Sequence, residues 1–416
     1  MAALPPPPPL NLPDDVLRKI LARIPCKVDR YRIALVCPAW RRVIDRLRLT
    51  PPRPLPWLML PSRYSDGSTR VACVLSGCRV HDYLTVTPPG WRCFGSHDGA
   101  WLFLYFHQPR RHHVLLNVRT GEARLLMLPA MVRTLNGFGP FDMVVHAAAL
   151  SAPPDDPRCI AAGIFTACVY PDDPPPGPGP GAQPRGYGVA LWGHRSRRGL
   201  AREIWADEPR QEHMSAEDVV YHNGAFHFVT TANHIRLCSP TLDQNGLPYL
   251  RLGAGWVVRR FEPIVGIYDI RARYLVKSRE ELLLVLRFMP RPSAQPWTPA
   301  FKVFQATQLL QNTNDLRSPE YRWSWSELHA LGGRMLFVGR GCSRSYETDQ
   351  YPGFHDGIYF LDDDALYHRS ATFRLGNGNV MRYPCSDNGK WSEGRVQSCF
   401  PSSKPSDSSP PAWLLP

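Results

Sequence analysis

Short hydrophobic segments recur along most of this chain at a spacing of about 50 residues. Turns centred near residues 224, 279 and 332 lie 55 and 53 residues apart, and segments rich in Val, Leu, Phe and Tyr surround them. Such segments, bounded by Gly, Asn, Asp and Pro, are typical of β-strands joined by tight turns. The chain is therefore predicted to be mainly β and to consist of repeated hairpin units.

A repeat of this length with about four strands per unit favours a β-propeller, in which each blade is a small sheet and neighbouring blades share a core. We expect six or seven blades within residues 57–416, with a proline-rich insertion at 171–184. A large irregular β-sandwich is the alternative that the pattern leaves open. The predicted strands are 100–106, 114–118, 123–128, 219–221, 225–230, 235–238, 274–277, 282–288, 301–305, 335–338 and 358–361.

Residues 12–47 follow a helical rather than a strand pattern and contain three short amphipathic segments. The first has its apolar stripe between Leu17 and Ile24, the second is expected to begin at an N-cap, Asp29, and the third begins near Pro38. Domains below about 40 residues rarely bury enough apolar surface alone. The module therefore needs a partner, or it packs as a helical cap on the downstream domain.

The residue identities of this module resemble those of the F-box, a three-helix module that binds the adaptor Skp1, which links it to a cullin-1 ubiquitin ligase. Pro38 departs from the Arg or Lys that many F-boxes carry there. The residues that carry the likeness are Leu12-Pro13-Asp14-Asp15, Ile20-Leu21, and Val36-Cys37 followed by Trp40-Arg41. The resemblance implies adaptor binding through Leu12, Pro13, Leu17, Ile20, Leu21, Val36, Cys37 and Trp40.

The β-rich part resembles the plant F-box proteins with a KIB-type β-propeller, most clearly between residues 215 and 361 and least at 374–400. The segments that carry this likeness are Tyr274–Ser278, Leu282–Arg287, Phe301–Phe304, Leu331–Ser343, Gly357–Phe360 and Pro411–Pro416. The expected organisation is a disordered proline-rich tail at 1–10, an F-box at 11–49, a proline-rich linker at 50–56 and a propeller at 57–416.

Composition narrows the possible partners and compartments. The formal charge is +13, but the basic residues are scattered and only six of the 49 are Lys, so we expect no nucleic acid partner. No apolar run is long enough to span a membrane, and the N-terminus lacks the features of a signal peptide. Eleven cysteines, an odd number, indicate a reducing compartment. The cytoplasm or the nucleus is the expected location.

Few residues have the spacing that catalysis or metal binding requires. The one group with metal-like spacing is read as buried or strand residues, and no zinc is expected; its members are Cys73, Cys78, His81, Cys93 and His97. His112-His113 is expected in a solvated loop, and the segment 362–364, three aspartates, in an acidic turn after a strand. No Gly-x-Ser-x-Gly elbow or nucleotide loop is present, so we expect no cofactor.

These patterns together favour a non-catalytic substrate-recognition subunit of a Skp1–cullin–F-box ubiquitin ligase. Its helices would dock to a Skp1-like adaptor, and its propeller would bind a target protein of unknown identity. The alternative is a propeller-type hydrolase or carbohydrate-binding protein with an N-terminal helical cap.

Overall fold

The computed structural model of the chain describes most of the predicted F-box and most of the predicted propeller. The predicted tail at 1–10, the linker at 50–56 apart from its last residue, and the insertion at 171–184 apart from its last two residues lie outside the described residues. The described residues are 12–24, 26–46, 56–60, 70–73, 78–81, 91–106, 112–118, 124–133, 140–169, 183–193, 200–206, 215–231, 233–244, 248–250, 268–290, 298–309, 322–351, 354–363, 383, 385–400, 405–406 and 409–415.

Three short helices form the N-terminal module. The carbonyl of Pro13 accepts hydrogen bonds from the amides of Val16 and Leu17, at 3.0 and 3.1 Å, and so starts the first helix. The expected N-cap at Asp29 is wrong, because the second helix begins earlier, after Cys26, and Asp29 lies in its first turn. A carboxylate there still complements the helix dipole. The helices are α1 (Asp14–Ala22), α2 (Lys27–Ala34) and α3 (Pro38–Arg46).

Strands make up most of the rest of the described chain, with one 3-10 helix at Thr348–Gln350. They are β1 (Trp57–Leu60), β2 (Arg70–Cys73), β3 (Cys78–His81), β4 (Trp91–His97), β5 (Trp101–Phe106), β6 (His112–Asn117), β7 (Arg124–Leu128), β8 (Met131–Arg133), β9 (Phe141–Leu150), β10 (Ile160–Val169), β11 (Gln183–Gly193), β12 (Leu200–Ala206), β13 (Ala216–His222), β14 (Ala225–Thr230), β15 (Ile235–Cys238), β16 (Pro240–Leu242), β17 (Pro248–Leu250), β18 (Tyr268–Ser278), β19 (Glu281–Pro290), β20 (Phe301–Leu309), β21 (Arg322–Glu327), β22 (Arg334–Phe337), β23 (Arg344–Glu347), β24 (Gly357–Phe360), β25 (Gly389–Ser392), β26 (Arg395–Gln397) and β27 (Ala412–Leu414).

The described strands form six sheets of three to five strands and one separate hairpin, β16–β17. Sheet 1 has the order β27-β1-β2-β3, sheet 2 contains β4 to β7, and sheet 4 contains β13 to β15. Sheet 3 contains β8 to β12, and its pairing closes on itself because β8 bonds to both β9 and β12. Sheet 5 contains β18 to β21, and sheet 6 has the order β23-β22-β24-β25-β26.

Buried side chains between the sheets show that they form a ring. Each neighbouring pair, including sheets 6 and 1, shares one hydrophobic cluster to which both contribute. Six clusters therefore join six sheets without a break in the described residues, as expected when the blades of a propeller share a core. The prediction of a mainly β chain with three N-terminal helices and a propeller of six or seven blades is confirmed.

The C-terminal strand closes the ring. β27 pairs antiparallel with β1, so residues from the two ends of the propeller complete one sheet. Trp413 in this strand is fully buried, and its indole N–H donates a 2.8 Å hydrogen bond to the carbonyl of Val338 in sheet 6. Sheets 1 and 6 are thereby held together by a polar contact as well as by their shared core.

The prediction that His112 and His113 lie in a solvated loop is wrong. Both belong to β6, and His113 has no exposed surface. Its Nδ1–H donates to the carbonyl of Pro129, and its Nε2 accepts the amide of Val145, each at 3.1 Å. A neutral imidazole with both nitrogens satisfied can be buried at little cost. His113 therefore connects sheet 2 to sheet 3.

Candidate functional site

The interior of the helical module is small. Leu17, Leu21 and Val43 are buried at its centre, and the partly buried residues that pack against them are Leu12, Ile33, Trp40 and Ile44. Two of the predicted adaptor contacts, Leu17 and Leu21, therefore hold the helices together. The other predicted contacts are exposed or half-buried: Leu12, Pro13, Ile20, Val36, Cys37 and Trp40.

The same module exposes large hydrophobic side chains. Six such side chains are exposed in the described part of the chain, and four of them are Val16, Tyr31, Leu35 and Val36. Val36 is 71% exposed, more than any other of the six. Tyr31 and Leu35 are four residues apart and therefore lie on one face of the α2 segment. We refer to these four residues as the exposed apolar set.

One residue joins the helical module to the propeller core. Cys26, immediately before α2, is 2% exposed and belongs to the hydrophobic cluster shared by sheets 6 and 1, together with Leu58 and Tyr351. A buried cysteine in such a place acts as a small hydrophobic group. The helix that follows, by contrast, carries Tyr31 of the exposed apolar set and ends just before Leu35, another member.

A pocket with a volume of about 580 Å³ lies where all six sheets meet. It is open on the face at which β4, β9 and β18 end. Its lining residues are Ser96, His97, Asp98, Ala149, Leu150, Ala152, Pro153, Val219, Val220, Tyr221, Lys277, Arg279, Glu280, Gly341, Cys342, Ser343, Arg344, Ser345 and Leu415. Some of these residues, such as Arg279 and Glu280, lie in a turn that the sequence predicts, and such turns are the sequence signal for the pocket.

A tight loop at residues 339–343, here called the central loop, contributes to the bottom of this pocket. The Ser343 hydroxyl accepts the amide of Gly339 at 3.2 Å and donates to its carbonyl at 2.9 Å. Gly341 has φ +71°, and a Cβ there would lie 2.8 Å from the backbone nitrogen of Ala148 in sheet 3. Only glycine fits this conformation and this approach without strain. The central loop thus crosses from sheet 6 to sheet 3.

Buried charges hold the central loop in place. The Asp218 carboxylate accepts backbone amides from Val219, Leu275 and Gly341, which belong to sheets 4, 5 and 6. Burial raises the pKa of Asp218 to about 7, although these three hydrogen bonds oppose the shift. Arg340 in the loop, only 4% exposed, also forms an ion pair with a glutamate of sheet 4 at 3.2 Å.

The walls of the pocket differ in character. The sides from sheets 3 and 4 are apolar, whereas sheets 2, 5 and 6 contribute charges. Arg279 is held by both carboxylate oxygens of Glu347, at 3.0 and 2.8 Å. Arg344 lies 3.5 Å from Asp98. Lys277 is exposed and makes no ion pair in the described part of the chain, so one cation of the pocket is available to a ligand.

The described pocket residues do not form a nucleophile–base pair. The hydroxyl of Ser343 bonds to its own turn, and that of Ser345 accepts from Ser278 at 2.9 Å. His97 hydrogen-bonds to no described serine, and burial lowers its pKa to about 4. A nucleophilic hydroxyl needs a base within hydrogen-bond reach. Among the described residues, Ser343 and Ser345 therefore have no histidine base in hydrogen-bond contact.

The predicted metal candidates lie apart. Cys73 belongs to the cluster between sheets 6 and 1, Cys93 to the one between sheets 1 and 2, and His97 lines the pocket; the side chains of Cys78 and His81 are outside the described set. Within the described residues no group of three His, Cys, Asp or Glu side chains is placed to hold a metal ion.

Asp362 and Asp363 follow β24, where the sequence predicts an acidic turn. Asp362 and Asp363 are buried and face arginines rather than solvent, and Asp364 is not described. Asp363 accepts the hydroxyl of Tyr274 at 2.8 Å and lies 3.3 Å from Arg287. Their negative charge is therefore compensated within the fold.

Two family models match this chain. The model described as KIB1-4 beta-propeller matches residues 74–384, and the model described as F-box domain matches residues 9–51, a range that contains all three helices. No curated protein matches the sequence. Among the described residues no helix is long and apolar enough to cross a membrane.

Proposed function

Because the chain belongs to the KIB1-4 beta-propeller family and carries an F-box domain, we propose that it is the substrate-recognition subunit of a Skp1–cullin–F-box ubiquitin ligase. F-box plus propeller architecture is typical of non-catalytic adaptors. In this proposal residues 11–49 dock to a Skp1-like adaptor, residues 57–416 hold the target, and the chain contributes proximity rather than chemistry.

The observation that carries the proposal is the exposed apolar set. Val16, Tyr31, Leu35 and Val36 leave apolar surface in water on a module whose own core consists of three buried side chains. Covering a Val or Leu side chain completely contributes about 1.5–3 kcal/mol. A partner that covers this set would therefore gain several times this free energy of burial, which supports a docking surface.

The burial pattern sharpens the list of adaptor contacts. Leu17 and Leu21 support the helices from inside, so their replacement would act through unfolding of the module. The direct contacts in our proposal are the exposed apolar set and the accessible residues Leu12, Pro13, Ile20, Cys37 and Trp40.

The test is a double replacement, Leu35→Asp with Val36→Asp, in the full chain. We expect it to weaken binding to a purified Skp1-like adaptor by at least about 100-fold, because it places two charges in an apolar interface. Isothermal titration calorimetry measures the affinity, and thermal melting should show an intact propeller.

The matched control is Met127→Asp with Val396→Asp. These are the two exposed large hydrophobic residues of the described propeller, each 42% exposed, and their replacement should leave adaptor binding unchanged. The proposal fails if the helical double variant binds the adaptor as tightly as the parent chain.

A further inference from the structure

The pocket where the six sheets meet has two kinds of wall and one available cation. We propose that it binds a short extended segment of the target protein in which an apolar side chain stands close to a carboxylate. This inference rests on the proposed function in that the ligand is taken to be a protein segment.

The size of the pocket fits a few residues of a chain. Its volume of about 580 Å³ lies within the range of roughly 300–1,000 Å³ in which proteins hold small ligands. The central loop reaches from sheet 6 to Asp218 in sheet 4 and to Ala148 in sheet 3, and its residues Gly341 to Ser343 line the pocket. A segment bound in the pocket would therefore contact the central loop.

The apolar side of the pocket is accessible. Ala152, Val220 and Tyr221 are half-buried and Pro153 is exposed, all on sheets 3 and 4 or the loop that follows β9. These four residues offer an aromatic ring and aliphatic groups to a ligand without further rearrangement. An apolar side chain of the segment would be covered there and gain free energy from burial.

The charged side of the pocket has one positive charge that no described side chain neutralises. Arg279 is engaged by Glu347, and Arg344 lies beside Asp98. Lys277 has no such partner among the described residues, and its charge is felt by His222, whose pKa it lowers in addition to the larger effect of burial. A ligand carboxylate is the group that pairs with Lys277.

A carboxylate fits this side better than a phosphate. Asp98 and Glu280 also line the pocket. A phosphoserine carries about −1.5 to −2 charges at neutral pH and would be repelled by both. A carboxylate carries a single charge, which Lys277 balances. Ser96, 6% exposed, adds a buried hydroxyl that has no hydrogen-bond partner in the described structure and can donate to the ligand.

The experiment uses the full chain without its adaptor and an array of short peptides on a common Gly/Ser scaffold. Four series carry a Leu followed at a short spacing by Asp or Glu, by phosphoserine, by Ser, or by Lys. We expect the Asp and Glu series to bind most tightly by fluorescence anisotropy. Lys277→Ala should weaken that series about tenfold or more, because it removes the one cation of the described pocket residues that is not ion-paired.

Lys302→Ala is the matched control. Lys302 lies in the same sheet but outside the pocket, 3.0 Å from Glu327, so its loss should not change peptide binding. Lys277→Glu provides a second readout: it should reverse the preference and favour the Lys series. Tyr221→Ala should weaken the binding of all four series, because each contains Leu and Tyr221 lies on the apolar side of the pocket.

Three results overturn the inference: tightest binding of the phosphoserine series, equal effects of Lys277→Ala and Lys302→Ala, or no binding of any series by the parent chain. None of these depends on adaptor affinity, which the Leu35 and Val36 double variant measures separately. A failure of the pocket inference is therefore distinguishable from a failure of the proposed function.

Discussion

The helical module and the propeller place the same residue types in opposite environments. In the module, the ion pairs Arg18–Asp15 and Arg32–Asp29 are long and solvent-exposed, whereas large hydrophobic side chains face water. In the propeller, arginines are buried against carboxylates, and apolar side chains fill the clusters between sheets. Arg287, with no exposed surface, is the clearest example.

This difference shows which region is complete on its own. Removing one partner of a buried ion pair strongly destabilises the fold, because it leaves an uncompensated buried charge. Exposed ion pairs contribute little to stability. In the propeller, the charged contacts that fix the fold therefore lie between its own sheets. The module instead has apolar side chains on its surface, where a second protein can cover them.

The largest expected effect comes from the buried arginine of sheet 5. Arg287 donates to Asp387 at 2.7 Å, to Thr298 at 2.7 Å and to the carbonyl of Leu361 at 2.6 Å. Arg287→Met should lower the free energy of unfolding of the propeller by about 3–5 kcal/mol, because it leaves buried carboxylates unpaired. Urea unfolding followed by Trp fluorescence measures this change.

The matching change in the module is Arg32→Met, which removes an exposed ion pair at 3.8 Å. We expect it to alter stability by less than about 0.5 kcal/mol. Equal effects of the two substitutions would contradict the contrast between a self-contained propeller and an open module.

The central loop should give an intermediate effect. Gly341→Ala adds a Cβ at positive φ and within 2.9 Å of two backbone atoms of Ala148, so we expect a loss of about 2–4 kcal/mol. Gly224→Ala is the control, because Gly224 has a similar φ of +79° but nothing within 4 Å of the added atom. Its cost should be about 1 kcal/mol. Similar losses in both variants would show that the approach to sheet 3 is unimportant.

The last expected effect is a pH dependence of the stability of the propeller. Burial, and to a lesser extent Arg92, lowers the pKa of His113 to about 3. The unfolded chain takes up a proton below pH 6.5 and the folded chain does not, so stability falls as the pH drops below 6.5. The loss is about 1.4 kcal/mol per pH unit for this residue.

Urea unfolding at several pH values between 7.5 and 5 tests this prediction. The slope should be shallower in His113→Gln, which removes the titrating group. Residues 12–46 contain no histidine, so adaptor binding should not share this dependence. Identical slopes for parent and variant would show that His113 does not titrate as described.

Much of the fold could be predicted because it is encoded locally. The hairpin of β18 and β19, around the turn at residues 278–280, follows from apolar segments separated by turn residues, and α1 and α3 follow from their apolar periodicity. Even the last strand was expected at 411–416 from the family likeness. These features depend on neighbours in sequence, which a single chain displays.

The pocket and the buried charges could not be predicted, because they depend on residues far apart in sequence. Arg287 and Asp387 are 100 residues apart, and each reads as an ordinary surface charge. Lys277 reads as the end of a strand, and nothing local shows that residues of six sheets surround the same space. His113 was assigned to a loop because of its charged neighbours, whereas the pairing of β6 with β5 places it inside.

The pairing of β27 with β1 has a consequence for the order in which the molecule is made. On the ribosome the F-box helices emerge first, and the ring stays open until Ala412–Leu414 has left the exit tunnel. A nascent chain, or one that ends before Ala412, can therefore expose its F-box helices before the ring is complete. Under the proposed function such a fragment would occupy the adaptor without delivering a target, so a stop codon placed before Ala412 should act dominantly.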